Sequence, residues 1–218
     1  VPNDALTEGA LSEADNSPIS DDAKPEGLKG DPTKAGEIGG IAADQVDASQ
    51  MGNFTEDQFS SFDINQASAF SANAIRGIGE DQMAAIDPTA MAGFDKDQVA
   101  AFDPNAVKGL GKDQVAAFDA NAMAGFGKDQ TAALDPTAME GFGKDHLAAF
   151  DPEAVAGFSE EQVAEFDPTA MSGFGQDHLA AFDPAVMAGL HKDQVAGFDP
   201  TAIAGLGINH LKFFDKEA

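Results

Sequence analysis

Phe142-Gly143-Lys144-Asp145-His146-Leu147-Ala148-Ala149-Phe150-Asp151-Pro152-Glu153-Ala154-Val155-Ala156-Gly157 decides the reading of this chain. It is one 16-residue unit made of two eight-residue halves, and nearly everything after residue 53 is a copy of it. Stepping by eight from Phe54 to Phe214, every residue is Phe, Leu or Ile, and no insertion breaks the count. We number this residue zero within its octad. Position five is almost as regular in Val, Met, Leu, Ile and Phe, with Ala67 and Thr131 as the two departures.

Each octad reads as a miniature helix. Position one is Asp, Gly, Ser or Thr, save His191, and these residues satisfy the first free N–H groups of a helix. Position two is Pro in most alternate octads (Pro88, Pro104, Pro136, Pro152), and the first helical site needs no N–H. Position four is Gln in the other octads, which is capping-box spacing, as in Thr55-Glu56-Asp57-Gln58. Gly at position seven of alternate octads (Gly93, Gly109, Gly125) predicts a helix end in the left-handed conformation. Each octad is then a helix of about one and a half turns with a tight corner.

Such a helix cannot stand alone, because isolated helices under about 12 residues are marginal in water. Ordering eight residues costs on the order of 8–16 kcal/mol of backbone entropy. One buried Phe and one buried Val or Met return roughly 3–6 kcal/mol. The remainder must come from hydrogen bonds and stacked neighbours, as in solenoids. Positions four, five and eight share one helix face, which would point inward. The sequence therefore predicts an all-α solenoid of very short helices, with two octads per 16-residue coil and about ten coils. Helices packed 8–10 Å apart would make a rod roughly 80–100 Å long. A long coiled coil needs unbroken heptads, which Asp-Pro and Gly in every pair of octads forbid. A β-solenoid needs β-branched alternation, whereas Ala dominates here.

The organisation along the chain is uneven. Residues 1–37 are rich in Asp, Glu, Pro, Gly and Ser, a composition that rarely folds alone. They read as an extended acidic tail, lying on its own solenoid or, as we favour, on a neighbouring subunit. Residues 38–53 read as a transitional cap, and 54–218 as the solenoid. The chain begins at Val1 with no signal segment, which we read as the mature end left by processing.

The 218 residues carry 38 acidic against 12 basic side chains, a net charge of −26. No basic surface is available to a nucleic-acid backbone. No run of 18 apolar residues exists to insert in a membrane. The charge suits solubility, saline surroundings or a cationic protein partner. Without Cys there is no disulfide or thiol chemistry, and Trp and Tyr, the usual binding anchors, are absent.

Candidate sites are few. Asp recurs at position one as Asp103, Asp119, Asp135, Asp151 and Asp167. Stacked in a column, these carboxylates are the candidates for Ca²⁺, although helix capping alone accounts for all of them. His146, His178 and His210 take the place of Gln at intervals of four octads. Spread along the coil they lie too far apart for one zinc ion and read as Gln substitutes. No catalytic Ser/His/Asp set or phosphate loop appears, so the chain reads as a non-enzyme with no cofactor. The C-terminal Leu211, Phe213 and Phe214 are apolar where a solenoid normally ends in a polar cap. Either another chain covers them, giving a head-to-tail homo-oligomer or filament, or the two Phe fold back as a lid.

The octad resembles a known repeat. Phe94-Asp95-Lys96-Asp97-Gln98-Val99-Ala100-Ala101 is similar to the Leu-Thr-Thr-x-Gln-Ile-Ala-Ala-type repeats of large secreted bacterial adhesin-like surface proteins of the RTX-associated kind. The likeness spans residues 54–214. This chain departs in its Asp-Pro alternation and lacks Gly-Gly-x-Gly-x-Asp calcium nonapeptides, so calcium binding does not carry over. The resemblance implies a secreted or cell-surface protein with a structural or adhesive role in a bacterium. The expectation is a structural repeat protein that self-assembles into a filament or surface layer. The alternative is an acidic scaffold or linker that binds a basic or periodic partner within a larger complex.

Overall fold

A computed structural model of the protein describes residues 37, 38 and 41–213. Over that span the protein is an all-α solenoid of short helices. A two-residue antiparallel hairpin, Glu37–Ile38 with Ile41–Ala42, and a 3₁₀ turn at Ala43–Gln45 precede it. What the sequence suggested for residues 1–36 and for Phe214 lies outside the described residues.

The caps form as the sequence dictates. Asp103 Oδ1 accepts the Asn105 N–H at 2.8 Å ahead of the Pro-initiated helix Pro104–Val107. In the alternate octads the amide of Gln replaces or completes the cap: Gly111 N–H donates to Gln114 Oε1 at 2.9 Å ahead of Lys112–Ala117. The octad frame also runs back beyond Phe54. Val46 is buried, Asp47 and Gln50 form a capping box, and the helix Ala48–Gly52 packs on Ala72–Ile75.

The coil is longer than the chemical repeat. Lys112–Ala117 lies between Pro88–Met91 and Pro136–Gly141, the helices three octads before and after it. The same step of three octads relates Ala48–Gly52 to Ala72–Ile75 and Glu160–Ala164 to Pro184–Gly189. The rings agree: Phe94 meets Phe102 at 5.3 Å along the chain and Phe118 at 6.5 Å across the stack. One turn is thus three octads, and the expected coil of two octads is corrected to this three-sided one. The array makes about seven turns rather than ten, a stack roughly 55–70 Å tall at 8–10 Å per turn. The physical reason is that the two-octad period records two kinds of octad, not the closure of a coil.

An odd number of octads per turn then has a consequence. Octads with Gln or His at position four alternate with octads that have Ala at four (once Val186) and Gly at seven, from Phe62 to Leu206. With three octads in each turn, every Gln or His octad from Phe94 on sits on a Gly octad, and every Gly octad on a Gln or His octad. The two contacts differ. A Cβ on Gly125 would fall 2.1 Å from the Lys96 carbonyl oxygen one turn earlier, and one on Gly141 2.2 Å from that of Lys112. None of these glycines, among the described residues, has a left-handed φ. The expected left-handed helix end is therefore corrected: Gly is required for close approach between turns.

The ladder at position zero and the row at position five form one continuous core. Phe62 through Phe198 at position zero are buried. At position five Met83, Val99, Val115, Leu147 and Met187 have no exposed surface. Thr131 fits the same site by donating its hydroxyl to the Gly127 carbonyl at 3.1 Å.

Candidate functional site

The five Asp candidates do not form a column. With three octads per turn, Asp103 and Asp151 share an edge but Gly127 intervenes, and Asp119 and Asp167 are separated by Gly143. Octads two turns apart are about 16–20 Å apart, far beyond the span of one Ca²⁺ shell. Asp135 lies between Gly111 and Ser159 on its own edge. The cause is the alternation just described: Asp octads stack on Gly, Ser or His far more often than on each other.

Each of these carboxylates is also committed locally. Asp119 Oδ1 accepts from Asn121 N–H and Nδ2, both at 2.8 Å. Asp151 accepts from Glu153 N–H at 2.8 Å. Asp135 and Asp167 accept a Thr hydroxyl at 2.6 Å, from Thr137 and Thr169, besides a backbone N–H. The Thr hydroxyl first, then the Thr N–H, hold both carboxyls below the usual Asp range. Asp87 and Asp199 are lowered in the same way by Thr89 and Thr201. Among the described residues no group of three or more His, Asp or Glu is arranged to hold a metal.

The recurrent polar residue that does reach across turns is Gln. Gln114 Nε2 donates to the Met83 carbonyl at 2.7 Å and the Ile86 carbonyl at 2.9 Å, while its Oε1 caps its own helix. Gln98, Gln130, Gln162 and Gln194 repeat this with partners 28 and 31 residues earlier. All five are buried. Each is a clamp that ties the corner of one turn to the helix start of the next. A capping box uses only Oε1, so the recurrence of Gln at this site in octad after octad was the available signal that Nε2 had a second task.

The three candidate histidines occupy the clamp position. In His178 the Nδ1 accepts the Gly175 N–H at 2.9 Å and the Nε2 meets the Phe150 carbonyl at 3.0 Å. His146 and His210 do the same with Gly143 and Phe118, and with Gly207 and Phe182. These partners assign the neutral Nε2–H tautomer. The Gln-substitute reading thus describes their geometry. Each His reaches one carbonyl where Gln reaches two.

The C-terminal turn presents the other notable surface. Leu211 is 55% exposed and Phe213 46%, and Ile203 and Ile208 are exposed beside them. Phe213 leaves more than half of Leu211 exposed, and Phe214, the other residue of the expected lid, is outside the described residues. Ile203 and Ile208 were not singled out from sequence: Ile203 is at position five, whose cover depends on a following turn, and Ile208 is at position two, which is exposed in the other clamp octads from Phe94 on as well.

Comparison of the chain with protein-family models, with curated proteins and with solved structures finds no match.

Proposed function

We propose that this is an extracellular structural repeat protein, secreted or held at a bacterial cell surface, whose solenoids assemble into a filament or surface layer with a matrix or adhesive role. The observation that carries the reading is the exposed apolar end formed by Ile203, Leu211 and Phe213. Burying that apolar surface is favourable, and a heterologous end-to-end contact propagates. The likeness of the octad to adhesin-like surface repeats supports the setting. The commitment of Asp, Gln and His to caps and clamps supports a scaffold rather than a catalyst. Light scattering against concentration, with negative-stain microscopy, tests it. Growing salt-resistant filaments are expected, and a monomer at every concentration would contradict it.

Charge favours a second reading, an acidic scaffold for a cationic partner. Among the described residues one ion pair is formed, Lys112 Nζ to Glu140 at 3.1 Å, against a net charge of −26. An exposed pair contributes little, so most of the acidic surface stays unneutralised. Binding of a basic protein that weakens steeply with salt would select this reading.

A further inference from the structure

The clamp rule says what fits the open end. Inside the stack, each buried Gln reaches back to two carbonyls of the turn below, at position zero of the octad beneath and position five of the octad before it. At the C-terminal end the carbonyls of Phe198 and Val195, and those of Leu206 and Ile203, occupy these receiving positions. At the opposite end Gln50 and Gln58 use Oε1 on their own caps, at 2.9 and 2.7 Å. Among the described residues neither Nε2 has an acceptor. One end therefore offers acceptors set in apolar surface, and the other offers donors in the clamp geometry.

We propose that a second copy of the chain docks head to tail on this end, its Val46 octad over the Phe198 octad and its Phe54 octad over the Leu206 octad, as the next turn of one continuous solenoid. This rests on the filament reading above and specifies the joint. Alternation supports the register. Counting on from Leu206, the octad that belongs over Phe198 is a Gln octad, and the Val46 octad carries Gln50. The Phe54 octad, with Gln58, would lie over another clamp octad. The chain already makes that pairing where the Ile78 octad sits on the Phe54 octad and Gln82 Nε2 reaches the Phe54 carbonyl at 2.6 Å. The joint would cover Ile203 and Leu211 as the equivalent position-five residues are covered within the stack. It is the same interface used between turns, continued between chains.

A cysteine pair reads the register directly, because the chain has no Cys of its own. Within the stack Gly197 lies on Met171, where an added Cβ would be 3.1 Å from the Met171 Cβ. The corresponding pair across the proposed joint is Asn53 of one copy and Ile203 of the next. Disulfides need Cβ atoms about 3.5–4.5 Å apart, so a small adjustment suffices. The full chain carrying Asn53→Cys and Ile203→Cys is expected to give, on mild oxidation, a ladder of disulfide-linked multimers on non-reducing gels. Each single variant should give dimers at most. Adding Leu211→Asp to the pair should abolish the ladder while the circular dichroism spectrum is retained. If light scattering shows assembly but the double variant makes no ladder, this register is wrong and the filament reading survives. If the ladder persists with Leu211→Asp, the joint is not this face. If the protein stays monomeric throughout, both fall.

Discussion

Leu147 and Leu211 hold the same position in nearly the same octad, each directly after a clamp histidine, yet Leu147 is fully buried and Leu211 is 55% exposed. The change is graded over the last turn. Met187 is buried, Val195 is partly so, Ile203 is 38% exposed and Leu211 more. Nothing in the octad itself accounts for this. Position five is covered by the helix three octads later, so its burial belongs to the following turn. A mid-stack residue and a terminal one are chemically alike and energetically unlike, as expected where stability resides between repeats.

The comparison breaks most visibly in the core. Phe150→Ala should destabilise the protein by about 3–5 kcal/mol and Leu147→Ala by about 2–5 kcal/mol in chemical denaturation. Leu211→Ala, measured on dilute monomer, should change stability by less than about 1 kcal/mol, since its side chain already lies largely in solvent. Equal effects at the two leucines would show that burial is local to the octad.

The clamps give the next effect. Gln114→Ala leaves the Gly111 N–H and the Ile86 carbonyl without a partner and takes one of two donors from the Met83 carbonyl, which keeps the Ile86 N–H at 3.2 Å. A loss of about 3 kcal/mol is expected, since each unpaired buried polar group costs roughly 1–3 kcal/mol. Gln50→Ala in the monomer loses only the cap and should cost about 1 kcal/mol. Gly125→Ala forces a methyl onto the Lys96 carbonyl and should cost about 1–3 kcal/mol, or more if the turns cannot part. His178→Gln should instead stabilise by about 0.5–1.5 kcal/mol, because the amide reaches a second carbonyl that imidazole does not.

The smallest effect lies at the exposed caps. Asp135 and Asp167 have folded carboxyls held below their unfolded range, so their contribution is present at neutral pH and is lost as pH falls through the lowered value. Thr137→Val with Thr169→Val should lower stability slightly at neutral pH, with the difference from wild type vanishing in acid. A gap that persists unchanged below the usual carboxylate range would assign the loss to packing.

Much of the fold was legible in the chain. Phe, Leu and Ile at every eighth residue named the core, and Asp-Pro and Thr-x-x-Gln named the helix starts. The size of a turn was not legible, because periodicity in sequence reports which octads are alike, whereas closure depends on the corner angle between consecutive helices. The two-octad alternation of Pro152 and Lys144 therefore pointed to the wrong stacking partner. The role of Gly125 is hidden for the same reason: its neighbour, the Lys96 carbonyl, belongs to the turn before and is visible only once the turn is known. The calcium candidates suffered likewise, since an Asp column exists only if like octads stack. The exposed terminal leucine was legible in part, from Phe213 where Ala or Gly stands in nearly every other octad.

Spin labels measure the turn itself. Asp97, Asp113 and Asn121 are exposed equivalents at position three, so labels there leave the core undisturbed. A turn of three octads places the labels on Asp97→Cys and Asn121→Cys one helix spacing from each other, about 8–10 Å between axes. Strong dipolar broadening is expected for that pair and weaker broadening for Asp97→Cys with Asp113→Cys. Stronger coupling in the second pair, whose members stand two octads apart, would mean that two octads close the coil, and would contradict the three-sided solenoid.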